Sequence, residues 1–131
     1  MKAHSGKVML RHGCQALANL AANADNGIAI AAAGGIGVVV TSTKVHPSHT
    51  GVQKMGCWAL RSLAYNADNM IAIAPQGGIG VVVLAMKAHA GQEALQITGC
   101  KALSNLAANV NNRIEIAAAG GIGVVVCEMQ A

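Results

Sequence analysis

Between Gln92 and Ala108 the apolar residues Leu95, Cys100, Leu103, Leu106 and Ala107 fall on one side of a helix. That spacing marks an amphipathic helix with one buried face. The preceding run, Ile79 to Lys87, is apolar almost all round, which suits a helix buried on most sides. Earlier still, Met70-Ile71-Ala72-Ile73-Ala74 forms a short apolar helical piece. Asp68-Asn69 offers a side-chain oxygen to cap its start. Gly77-Gly78 closes it, because glycine accepts the left-handed conformation that ends helices. Ala88-His89-Ala90-Gly91 makes the turn between the second and third helices, and Asn109 leads to the next cap at Asn111-Asn112.

The same text occurs three times. Gly13-Cys14-Gln15-Ala16-Leu17 returns as Gly56-Cys57-Trp58-Ala59-Leu60 and as Gly99-Cys100-Lys101-Ala102-Leu103, 43 residues apart each time. Gly34-Gly35-Ile36-Gly37-Val38-Val39-Val40 returns at the same interval, beginning at Gly77 and Gly120. Two blocks locked to one period define a tandem array, and arrays serve mostly as binding surfaces. Asn23, Asn66 and Asn109 keep the same interval and suit the turn between repeats. Val81-Val82-Val83 favours a strand by propensity. The glycines, however, precede these valines, whereas a phosphate-binding glycine loop follows its strand. The valines also run into Leu84-Ala85-Met86-Lys87, good helix formers. The expectation is therefore all-α, and Gly78-Ile79-Gly80 is no nucleotide loop.

A short helix, Gly-Gly-Ile, an apolar second helix, a turn, and a long helix containing Gly56-Cys57-Trp58-Ala59-Leu60-Arg61-Ser62-Leu63-Ala64 together resemble the armadillo repeat. The resemblance covers essentially the whole chain. It implies a right-handed α-solenoid of three-helix repeats with a 43-residue period, its third helices lining a concave groove. Gly37, Gly80 and Gly123 depart from it, since many members open the second helix with proline there.

In that frame residues 1–131 form one repeat domain. Residues 1–22 are the third helix of a truncated repeat, with Met1 to His4 aligned to the end of a second helix and the helix itself running from Ser5 to Ala22. Residues 23–66 and 67–109 are complete repeats. Residues 110–131 are the first and second helices of another truncated repeat, running from Asn112 to Gln130. Polar capping faces are expected at the ends of a solenoid, yet Val8, Leu10 and Leu17 at one end and Ile122, Val124, Val125 and Val126 at the other are apolar. The expectation is a fragment of a longer array, or head-to-tail self-association into rings, swapped dimers or filaments.

The resemblance also implies groove positions. In peptide-binding members a Trp frames side-chain pockets and an Asn one turn later bonds the peptide backbone. The matching Trp positions are Gln15, Trp58 and Lys101, and the matching Asn positions are Asn19, Ser62 and Asn105. Only Trp58 keeps the aromatic, so the ladder is incomplete. Arg11, Lys54, Arg61 and Lys101 lie on or near these surfaces and acids are scarce. A neutral or acidic protein or peptide is expected in preference to a basic one. Trp58 is the expected anchor, or else it packs against its neighbouring repeat.

Composition narrows the rest. Of 131 residues 53% are hydrophobic but only 2% aromatic, so Ala, Val, Ile and Leu must build the core and each buries modest area. The net charge of +4 comes without a dense basic cluster, which argues against nucleic-acid binding. No apolar run reaches membrane length or signal-peptide form. Cys14, Cys57 and Cys100 are repeat equivalents expected as small core residues, and Cys127 stands apart. A reducing, cytoplasmic compartment is expected. His46-Pro47-Ser48-His49 is the only close histidine pair and has no neighbouring carboxylate or thiol, so no metal site and no cofactor are expected. Asp25, Asp68, Glu93, Glu115 and Glu128 form no acid–base pair, and no nucleophile–base–orienter set exists. An enzyme is not expected.

Overall fold

Asparagine opens the first helix of every unit. Asn23, Asn66 and Asn109 sit in extended backbone conformation, and each side-chain oxygen accepts the backbone N–H three residues on, at 3.1, 3.0 and 3.0 Å. These bonds satisfy donors that a helix start leaves unpaired. The cap was expected at Asp68-Asn69; it lies at Asn66, and Asp68 falls in the first turn, where a carboxylate suits the positive end of the helix dipole.

The structure is a computed structural model describing residues 3–130. Among the described residues there are nine helices and no strand. They are α1 (Ala3–Leu20), α2 (Ala24–Ala32), α3 (Gly35–Val45), α4 (Thr50–Leu63), α5 (Ala67–Ile73), α6 (Gly78–Ala88), α7 (Glu93–Leu106), α8 (Val110–Ala118) and α9 (Gly121–Met129). Ala3 and His4 belong to the first turn of α1 rather than to the end of a second helix, and Met1 and Lys2 lie outside the described residues. The long helices stop two residues earlier than expected, α1 at Leu20 and α7 at Leu106, because the chain turns to reach the asparagine caps.

Gly34, Gly77 and Gly120 take φ values of 84°, 92° and 90°. A side chain is strained there, and glycine is not. Each of these residues lets the chain swing between a short helix and an apolar one, and the paired helices meet at 75°, 70° and 75°.

The valine run is helical. Val82 and Val83 in α6 and Val39 in α3 are fully buried, and Val40 is nearly so. Valine costs a helix less than about 0.7 kcal/mol relative to alanine. Burying its side chain returns roughly 1.5–3 kcal/mol. Burial on several sides therefore overrides propensity.

The long helices lie side by side, α1 against α4 and α4 against α7, and these are the most extensive packings in the molecule. Behind them α3 packs on α4 and α6 on α7. Two glycines make the second contact close. A Cβ on Gly56 would strike Thr43, and one on Gly99 would come within 2.6 Å of Met86. The core runs through Leu60, Leu63, Ile73, Ile79, Met86, Leu95 and Leu106.

Polar side chains link one unit to the next. Asn69 Nδ2 donates to the Gly27 carbonyl at 3.0 Å, and Asn112 Nδ2 donates to those of Met70 and Leu106 at 3.1 and 3.0 Å. Gln53 and Gln96 repeat a different device. Each buried amide donates to two carbonyls at the end of the preceding helix, Thr43 and His46 for Gln53, and Met86 and His89 for Gln96. These bonds satisfy carbonyls that a helix end leaves open.

Candidate binding surface

Because α1, α4 and α7 stand side by side, residues at equivalent positions come together across repeats. Gln15 and Trp58 are half-buried, and Lys101 is exposed. Trp58 packs against the core with part of its ring still open to solvent. It is thus a packing residue that is also partly accessible.

The Asn positions divide. Asn19 is exposed, Ser62 is buried and Asn105 is half-buried. Ser62 lines a hollow of about 260 Å³ between the first two units, with Ala22, Gly27 and Tyr65 among its walls. Asn105 Nδ2 donates to the Arg61 carbonyl at 3.1 Å. One of its two amide hydrogens is thus spent between α7 and α4.

Arg11 is exposed, and its aliphatic stem lies across Gly51 of α4, where any Cβ would meet it. Its guanidinium Nη2 is 3.2 Å from His12 Nε2. Lys54 is half-buried on the same helix as Trp58.

The sequence singled out Arg61 but missed its partner. Tyr65 sits just past the end of α4 and is exposed. The nearby Arg61 guanidinium first, then Asn105 and the charge of Lys101, hold the phenol below its usual range against the opposing pull of burial. Arg61 Nε, meanwhile, is buried without a hydrogen-bond partner. Arg61, Tyr65, Lys101 and Asn105 therefore gather as one electropositive cluster, with Lys101 level with Trp58 on the neighbouring long helix and the other three one to two turns further on. The available signal was the 43-residue offset: Tyr65 stands where Ala22 and Ala108 stand in the other units.

His49, half of the close histidine pair, has a structural task. Its Nδ1 accepts the Val52 N–H at 3.1 Å and caps α4. His89 Nε2 donates to the Pro47 carbonyl at 2.8 Å, and its Nδ1 lies 3.3 Å from Thr50 Oγ1, tying two inter-helix turns together. Among the described residues no three His, Cys, Asp or Glu side chains gather as a metal site. Cys14 and Cys57 are buried in the core, Cys100 is half-buried and Cys127 is exposed.

At the far end, Val124 is buried within the chain's own fold and Val125 is half-buried, while Ile122 and Val126 are exposed. At the near end Val8 is exposed, and Leu10 and Leu17 are half-buried. No single described helix is long and apolar enough to cross a membrane. No family model matches the chain, and neither does any curated protein or solved structure.

Proposed function

We propose that the chain is an armadillo-type solenoid, a right-handed stack of three-helix repeats, acting as a non-catalytic protein-interaction scaffold. Its ligand is an extended peptide or protein surface lying across α1, α4 and α7. The observation that carries this reading is the cluster of Arg61, Tyr65, Lys101 and Asn105 beside the half-open ring of Trp58. An aromatic anchor flanked by cations is the arrangement that holds a hydrophobic side chain and a neighbouring carboxylate. Neutral and acidic partners follow from this charge, and basic ones are repelled.

The four free thiols suit a reducing compartment. Selection of random peptides on the immobilised chain tests the proposal. The wild type should enrich sequences carrying an acidic residue near a hydrophobic one, and Trp58→Ala should lose that enrichment while keeping its helical circular dichroism. Enrichment of lysine- and arginine-rich peptides, or an unchanged pool with Trp58→Ala, would refute it.

A further inference from the structure

The two end faces of the molecule are the two halves of a contact it already makes twice. Within the chain, an apolar helix seats one residue in a glycine notch on the long helix that follows. Thr43 of α3 fills the notch at Gly56, and Met86 of α6 fills the notch at Gly99. The third member of each series lies one 43-residue period away. Met129 of α9 is the knob with no notch, and Gly13 of α1 is the notch with no knob, since nothing lies within 4 Å of a Cβ built there. Met86 is 0% exposed and Met129 is 79% exposed.

The surroundings agree with this pairing. Ile122 is 63% exposed although its equivalent Ile79 is 0% exposed. Hollows of about 340 and 510 Å³ flank α9, the first walled by Leu103, Ile122 and Val126, the second by Ile97, Glu128 and Met129. On α1, Met9, Ala16 and Leu20 are exposed, whereas their equivalents Val52, Ala59 and Leu63 are fully buried under the neighbouring helices. Gln53 and Gln96 give way to Leu10 at the matching place, so the α1 face is apolar where the internal contacts use an amide. Glu128 is the one acidic side chain of α9 and replaces the buried Ser42 and Ala85, and Glu93 and Lys101 line the hollow beside it. Helix α1 carries Lys7 and Arg11 and no acid to oppose it.

We infer that the occupant of each end face is a second copy of this chain, docked head to tail, with Met129 of one protomer seated in the Gly13 notch of the next. The contact is heterologous: it joins two different faces and leaves one of each exposed at the ends of the assembly. Each added protomer continues the stack of long helices, α7 of one against α1 of the next, as α4 lies against α7 within one chain. This inference is independent of whether the groove holds a peptide.

Two variants and their mixture test it by sedimentation and light scattering. Gly13→Leu fills the notch with an apolar side chain, and the open space at Gly13 lets the monomer accept it. Met129→Glu removes the knob at an exposed position. The wild type should grow with concentration to multiples of its 13.1 kDa mass. Each variant alone should remain a helical monomer at the same concentrations. Mixed in equal amounts, they should form a 1:1 dimer and nothing larger, because one intact knob meets one intact notch. A wild type that stays monomeric, a Gly13→Leu protein that associates as the wild type does, or a mixture that stays monomeric would each overturn the inference. Gly13→Leu adds apolar surface, so indiscriminate stickiness predicts more association where a specific notch predicts its loss.

Discussion

Burial pushes the Cys57 thiol up to about 12, with a smaller contribution from the nearby Cys14, and burial alone pushes Cys14 up to about 11. A raised thiol pKa means that the folded chain holds its protons more tightly than the unfolded one. The stability this supplies is complete below the ordinary thiol value of 9.0 and fades as pH rises past it towards 11 and 12. Urea unfolding should therefore show the midpoint falling above about pH 9, the ordinary thiol range. Cys57→Ala should flatten that fall, and an equally steep loss in the variant would deny the thiols this part. Native labelling with a thiol reagent should modify the exposed Cys127 first and Cys57 last, since the thiolate is the reactive form and access limits it. The reading of Cys14 and Cys57 as small core residues was available in the sequence because three equivalents recur without a repeated histidine partner. Tyr65 was not legible there, because its significance comes from Arg61 in the last turn of α4 and from Lys101 and Asn105 on α7.

At the scale of elements, the helices themselves were written in the chain and their linkages were not. The Gly-Gly pairs, the apolar runs and the amphipathic long helices placed α1, α5, α6 and α7 to within a few residues. The cap was misplaced because Asn66, Asp68 and Asn69 all have capping side chains, and only backbone geometry selects among them. Asn69 and Asn112 carry a second role, since their amides reach back to the preceding unit's short helix. Asn69→Ala removes that buried link and leaves the Gly27 carbonyl only its helical bond, at a cost of about 1–2 kcal/mol from the lost hydrogen bond and the space the side chain vacates. Asn66→Ala removes only a helix cap, at a cost of about 1 kcal/mol. Chemical denaturation of the two variants should order them that way. A smaller loss for Asn69→Ala than for Asn66→Ala would reverse the assignment of which asparagine joins the repeats.

For the whole molecule, faithful repetition and sequence variation sort to different places. Gly35, Gly78 and Gly121 lie tight against Ile30, Ile73 and Ile116, and these pairs recur in every unit because each unit closes the same way. The long-helix surface changes from Gln15 to Trp58 to Lys101, and a recognition surface is free to change in just this way while the packing beneath it is kept. Trp58 is the only tryptophan of the chain, so its fluorescence reports on this part of the molecule. Titration with two peptides of equal length and hydrophobicity, one acidic and one basic, is the most direct test that α1, α4 and α7 form an electropositive recognition surface centred on Trp58. The account predicts a saturable change in Trp58 emission with the acidic peptide only, weakened by salt and lost in Lys101→Glu. An equal response to both peptides, or a response to the basic one alone, would contradict it.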